Sequence, residues 1–213
     1  MRVVVFGATG PTGSLIVRDA LAAGYDVTAV ARTPAKVTVK DTRLAVVQGD
    51  ALDAASVRKA VAGHDAVASA LGANFGFKPV QIYSEGARNI LAAMAATGVR
   101  RFVGITSGGT YTGIKPKRSF VFELTIGRLL ANLYNDQRRM EELVAASDTD
   151  WTILRPPRLT KGARTGRVRR SVDAYILSYG DSLSREDLAA EVVHQLGPDG
   201  DLRAAVGIAT QSL

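Results

Sequence analysis

Val3-Val4-Val5-Phe6-Gly7-Ala8-Thr9-Gly10-Pro11-Thr12-Gly13 lies at the start of the chain, and its two halves follow different rules. Val3 to Phe6 is a short, unbroken apolar run rich in β-branched residues, the pattern of a strand buried on both faces of a parallel sheet. Glycine then recurs at every third position, 7, 10 and 13, where the strand gives way to a helix that Pro11 helps to start. In that setting bare backbone can approach an anion and the free N–H groups of the helix start point at it, so the loop predicts a diphosphate site. The spacing is G-x-x-G-x-x-G rather than G-x-G-x-x-G, and Thr9 and Thr12 add hydroxyl donors. A tight strand-to-helix turn with no ligand is the competing explanation.

Working outward, similar apolar runs recur at Val27–Ala31, Leu44–Val47, Ala66–Ala70, Phe102–Ile105 and Thr152–Leu154. Amphipathic stretches beginning near Pro11, Pro34, Asp53, Val80 and Ser119 separate them. This alternation predicts the α/β class: a Rossmann-type doubly wound parallel sheet with a small C-terminal substrate-side cap. Asp53 is placed to cap the helix that Gly63 ends, and Gly98 to close the helix over Ser84–Thr97. Phe122, Ile126, Leu129, Leu133, Met140 and Val144 keep near-helical spacing and predict one long core-facing helix over Ser119–Ala146. Beyond Pro156-Pro157 come a basic segment reaching Arg170, a strand-like piece, a helix over Arg185–Leu196 and an edge strand at Ala204–Ala209. With no second glycine fingerprint and no repeat, 1–213 reads as a single domain. Residues 1–157 form its cofactor-binding core and 158–213 its cap, final helix and strand.

Composition narrows the function. The chain has 213 residues, 46% apolar, enough for a full core. It has no cysteine, which excludes a thiolate nucleophile, a disulfide or a cysteine metal site and fits a cytoplasmic location. Val3 to Val17 is the longest uncharged stretch, but glycines and a proline interrupt it and it falls short of the roughly 18 apolar residues of a bilayer span. No membrane partner is expected. The net charge of +7 is concentrated at Lys115–Arg118 and Arg164–Arg170, neither interleaved with aromatics. A solvated surface and an anionic small molecule are expected before nucleic acid.

The end of the second strand bears on the cofactor. An NAD site places a carboxylate there for the ribose 2′-hydroxyl, whereas this chain has Arg32-Thr33, so the expected cofactor is NADP(H). Asp50-Ala51, after the third strand, are candidates to line the adenine, although Asp50 fits a capped loop equally well. Leu71-Gly72, after the fourth strand, are candidates beside the ribose.

Several motifs resemble the atypical short-chain dehydrogenase/reductase superfamily, in particular its NmrA-like and biliverdin-IXβ reductase (flavin reductase) group. They are the loop Gly7–Gly13, Ser84-Glu85-Gly86-Ala87-Arg88-Asn89-Ile90, Gly98–Val103 with Thr106-Ser107, Asp136–Met140, Asp150–Pro157 and Ser184–Ala189. The resemblance covers most of the chain except roughly 108–119 and 161–175. It implies an NAD(P)-binding fold and leaves the substrate unspecified.

Catalytic residues are less legible. Ser107, after Thr106 at the end of the fifth strand, occupies the serine position of that superfamily and is also a cofactor-contact candidate. Tyr111 to Lys115 spells Tyr-x-x-x-Lys, but Gly113 within it and Pro116 after it oppose the helix that brings such a pair onto one face. Tyr134, with Arg138 and Glu142, is better placed on a helix but has arginine where lysine belongs. His64 and His194 do not pair at ligand spacing, so no metal site is expected and both read as surface residues. Trp151 reads as core, and Arg158 as either a solvated charge or a contact for an anionic substrate. Two functions follow: an NADPH-dependent reductase of a flavin, quinone or similar small acceptor, as the resemblance implies, and a non-catalytic NADP(H)-binding regulator. A sugar-nucleotide epimerase or dehydratase fits less well, because the segment after Pro157 is short. The oligomeric state is left open.

Overall fold

The computed structural model describes residues 1–73, 79–111, 128–174 and 180–211. β1 (Arg2–Phe6) lies inside the main sheet, parallel to β2 (Asp26–Ala31) and β4 (Ala66–Ser69), with Val3 opposite both Val27 and Ala66. β3 (Leu44–Gln48) lies outside β2. On the other side follow β5 (Arg101–Ile105), β6 (Asp150–Arg155), β10 (Ala204–Thr210) and β8 (Val168–Val172). The order is β3-β2-β1-β4-β5-β6-β10-β8, parallel throughout except for β8. The order reverses beside β1, the switch point where doubly wound sheets open a crevice at their carboxyl edge.

α1 (Gly13–Ala22) and α5 (Arg185–Leu196) cover one face. α2 (Ala54–Val61), α3 (Ile82–Thr97) and α4 (Arg128–Ala145) cover the other. Val3 and Val5 pack toward the first layer, Val4 and Phe6 toward the second, each at most 1% exposed. Burial on both faces is why the opening run is continuous rather than alternating. The expected punctuation is present: Asp53 accepts from the Ala55 N–H at 3.0 Å, and Gly98 closes α3 at φ 76°. Leu133, Met140 and Val144 are buried on α4, whereas Phe122 and Ile126 lie outside the described residues. Among the described residues no helix is long and apolar enough to cross a membrane.

Four expectations are corrected. The stretch after Pro34 forms a single 3-10 turn, Pro34–Lys36, and the chain then passes through Val37-Thr38-Val39 straight to β3. The final strand is not at the edge, because β10 lies between β6 and β8. The basic segment hides the outermost strand: Arg169 pairs with Asp181, and Arg170 with Glu191 and Asp201. With Arg164 bound to Asp19, much of this positive charge is neutralised within the chain. Finally, His64 is half-buried, its Nε2 2.8 Å from the Thr28 hydroxyl, while His194 is exposed as expected.

A small second sheet pairs β7 (Arg158–Thr160) with β9 (Ser182–Ser184) beyond the end of β6. The connection between β7 and β8 is fastened to α5 by Asp187. This buried carboxylate accepts from the N–H groups of Thr165 and Gly166 and from the hydroxyls of Thr165 and Ser184.

Candidate functional site

The glycine loop occupies the turn from β1 to α1, and its glycines are required for different reasons. Gly7 has φ +77°, and a Cβ there would stand 2.3 Å from the Ala70 carbonyl oxygen. A Cβ on Gly13 would stand 2.0 Å from the Gly7 carbonyl oxygen. Both are demanded by the fold itself. Gly10 has neither a positive φ nor a severe overlap, its nearest contact being Gly7 O at 3.2 Å. Its missing side chain leaves backbone open to a ligand. The Gly10 N–H closes the turn on the Gly7 carbonyl at 2.9 Å, and Ser14 N–H reaches Gly10 O. Among the described residues the N–H groups of Thr12 and Gly13 have no acceptor, the donor arrangement that a diphosphate needs. Thr9 and Pro11 are exposed, and the Thr12 side chain makes no capping bond.

Arg32 and Thr33 leave the end of β2 exposed. The 3-10 turn that follows brings the Lys36 N–H to the Thr33 carbonyl at 3.0 Å, which sets a second cation one turn from Arg32. Asp50 is the carboxylate nearest in the register, and its Oδ1 accepts from the Leu52 N–H at 3.0 Å within its own loop. The capped-loop reading of Asp50 therefore describes its geometry, and Ala51 beside it is buried.

α3 holds both remaining loops from below, which gives the Ser84–Asn89 motif a physical basis. Asn89 donates to the Ala51 carbonyl at 2.9 Å. A Cβ on Gly86 would come within 2.6 Å of Leu71, so glycine lets the helix approach the Leu71-Gly72-Ala73 segment. The start of α3 is held in turn by Asp136 of α4, fully buried, which accepts from the Tyr83 N–H at 2.9 Å and from both the N–H and the hydroxyl of Ser84. A carboxylate at a helix N-terminus offsets the positive end of its dipole.

Beyond β5, Thr106 turns inward. Its hydroxyl and that of Thr110 donate to Glu141 Oε1 at 2.6 and 2.7 Å, and Arg155, at the end of β6, binds both oxygens of the same carboxylate. The Arg155 guanidinium lies 5.9 Å from the centroid of the Tyr111 ring. Ser107 is half-exposed and donates to Gln137 Oε1 at 2.8 Å. One 3-10 turn separates Ser107 from Tyr111, with Thr110 N–H on Ser107 O, and Lys115 lies outside the described residues. Tyr134 packs over Gly109, where a Cβ would fall 2.3 Å from its ring. Arg138 donates to the Gly109 and Thr110 carbonyls, so the Tyr134–Arg138 pair clamps this turn. Arg158 is exposed on β7, and Trp151 packs against the core beneath α3 and α4.

The structure thus gathers the ends of β1, β2, β3, β4 and β5 along one carboxyl edge. Reading the sequence quoted Asn89, Asp136, Gln137 and Arg155 only within motifs, with no role for their side chains, and missed Tyr83 and Glu141 below that edge. A signal existed for two of them, since Asp136 and Gln137 lie between Leu133 and Met140 on the buried stripe of α4, where polar residues are conspicuous.

Comparisons with known proteins agree with this geometry. A family model for NAD(P)H-binding matches residues 7–198. A chloroplastic protein of Arabidopsis thaliana is 32% identical over 203 residues, covering 90% of this chain and 70% of its own. Cinnamoyl-CoA reductase 1 of Oryza sativa is 38% identical over 128 residues, 55% of this chain and 37% of its own length. Among solved structures, ChuY, an anaerobillin reductase from Escherichia coli O157:H7, superposes with a TM-score of 0.80 at 22% identity, covering 100% of this chain and 98% of its own. With a donor-rich glycine loop at the switch point of a doubly wound sheet, and a family match spanning nearly all of its length, this chain belongs to the NAD(P)H-binding family.

Proposed function

We propose that this protein is an NADPH-dependent reductase that passes hydride to a flavin, a quinone or a similar small, flat acceptor. The observation that carries this reading is the loop at Gly10, where a Cβ would meet only the Gly7 carbonyl oxygen, at 3.2 Å, and backbone donors remain unused. Gly7 and Gly13 shape the loop, Thr9, Pro11 and Thr12 border it, and the helix start receives the diphosphate. Arg32 and Thr33, with Lys36 one turn away, favour a 2′-phosphate over a bare hydroxyl, hence NADP(H) over NAD(H). Asp50 and Ala51 border the adenine, and Leu71 and Gly72 the nicotinamide half. The reduced nicotinamide supplies the hydride. Ser107 borders the reacting end, with Tyr111 at the far side of its turn and Thr106 holding the strand end from below. Two of the similar proteins carry reductase names, cinnamoyl-CoA reductase 1 and an anaerobillin reductase, which supports the reaction type and leaves the acceptor to experiment. The test is NADPH oxidation by purified protein with a panel of flavins, quinones and carbonyls: turnover above background is expected, and its absence across the panel defeats the reading.

A non-catalytic NADP(H)-binding regulator is the second reading. It is favoured by Arg138, which is engaged with the 109–110 carbonyls instead of forming a proton-shuttling Tyr–Lys pair. Tight cofactor binding without turnover, together with a co-purifying protein partner, would support it.

A further inference from the structure

α5 is a crossover helix that leads into β10, and near its far end the Gln195 carbonyl accepts from Arg101, at the start of β5, at 3.0 Å. Its first turn therefore lies at the carboxyl edge of the sheet, and the helix packs against α1, β4 and β5. Leu188, Ala189 and Val192, each at most 1% exposed, belong to the core layer that also holds Ala8 of the glycine loop and, at its margin, Ala70 and Ile105. Arg185 precedes Leu188 by three residues and Ala189 by four, so it continues the same stripe one turn further. Helical side chains tilt toward the N-terminus, which carries the half-buried Arg185 out of the core on the crevice side.

Nothing among the described residues answers its charge. The two carboxylates beside it are committed elsewhere, Glu186 to Arg18 and Asp187 to Thr165, Gly166 and Ser184. The helix start itself is closed, because the Ser184 hydroxyl oxygen caps the Asp187 N–H at 2.9 Å. Arg185 makes no ion pair or hydrogen bond there, and its Nε is buried without an acceptor. A cation in the first turn also opposes the helix dipole. An unpaired and partly desolvated guanidinium is costly, and a bound anion would relieve that cost. The Nη groups are not enclosed as Nε is, and their fork suits an oxyanion. We propose that Arg185 binds an oxyanion in the crevice, carried by the acceptor as an acidic substituent or by the cofactor as its diphosphate; the first source rests on the reductase reading. The acceptor is the expected source. Thr12 and Gly13 already offer donors to the diphosphate, whereas β9, which runs directly into Arg185, belongs to the small sheet beyond the end of β6.

The test compares wild type with Arg185→Met, which keeps an apolar stem without the charge, and Arg185→Lys, which keeps the charge without the fork. NADPH is titrated into each protein, and 2-naphthoate and its neutral analogue 2-naphthamide are titrated into each NADP⁺-saturated protein, by calorimetry. The expected result is that wild type prefers the naphthoate and that Arg185→Met weakens it by about tenfold or more, with naphthamide and NADPH changed by less than about twofold. Arg185→Lys falls between the two. A loss of about tenfold in NADPH affinity, with the two aromatics affected alike, supports the site and assigns it to the diphosphate. Wild type that does not distinguish the two aromatics, with NADPH affinity untouched in Arg185→Met, overturns the proposal. So does an Arg185→Met protein that fails to fold or unfolds at markedly lower urea than wild type, since removing an unpaired cation should not destabilise the free protein. These are binding measurements, so an absence of NADPH oxidation across the acceptor panel defeats the reductase reading separately and leaves the assignment of Arg185 to be decided by the titrations.

Discussion

Gly13 lies so close beneath Gly7 that a Cβ at position 13 would stand 2.0 Å from the Gly7 carbonyl oxygen, whereas at Gly10 the corresponding contact is 3.2 Å. The two glycines therefore separate folding from ligand binding. Gly13→Ala is expected to destabilise the protein by about 1–3 kcal/mol, the range for overpacking a tight site. Gly10→Ala should cost under about 1 kcal/mol of stability yet weaken NADPH binding by about tenfold or more, because the methyl group occupies the approach of the diphosphate. Urea unfolding paired with cofactor titration checks both. Equal behaviour of the two variants would mean that the loop is only a turn.

Asp136 joins α4 to the start of α3, and with it the helix that supports the loops at Ala51 and Leu71. Asp136→Ala leaves the Tyr83 and Ser84 donors buried without an acceptor and should cost about 2–4 kcal/mol, while Asp136→Asn, which keeps one acceptor oxygen, should cost less. Denaturant midpoints at unchanged m-value measure this.

Glu141 and Arg155 form a largely buried ion pair, their side chains 13% and 18% exposed. Removing the carboxylate alone, as Glu141→Leu, strands the guanidinium and is expected to destabilise by about 3–5 kcal/mol. Adding Arg155→Met should recover much of that loss. A double-mutant cycle gives the coupling, and strictly additive losses would show that the pair is not coupled.

Asp187 provides a pH test of the connection between β7 and β8. Burial pushes its carboxyl upward, but the Gly166 N–H, the Ser184 hydroxyl and the two Thr165 donors outweigh this and hold it below its ordinary 3.8. A depressed folded-state value means that the contribution is complete above 3.8 and is lost as pH falls through the folded-state value below it. Asp187→Asn should therefore be less stable than wild type by about 1–3 kcal/mol at neutral pH, with the gap closing only under strongly acidic conditions. A gap that is constant with pH would contradict this.

How much was legible follows from how local each signal is. The parallel strands at Val3, Val27, Ala66, Phe102 and Thr152 were readable because burial on both faces leaves an unbroken apolar run. The edge strand at Leu44 was readable from its apolar run although none of its residues is fully buried. β8 was not, since two of its five residues are arginines whose partners, Asp181, Glu191 and Asp201, lie far from its own sequence neighbours. The same limit applies to the site. Gly7 to Gly13 is a local motif and stands out. The bonds from Ser107 to Gln137 and from Tyr83 and Ser84 to Asp136 join the end of β5 and the start of α3 to α4 and exist only after folding.

The central claim, that the loop and Arg32 together bind NADP(H), is tested most directly by titrating wild type and Arg32→Ala with NADPH and with NADH. The expected result is a wild-type preference for NADPH and its loss in the variant, a weakening for NADPH of about 10- to 100-fold, as one charge-assisted contact of about 1.5–3 kcal/mol implies, with NADH affinity unchanged. A preference that survives the substitution, or a wild type with no preference, contradicts the assignment of Arg32.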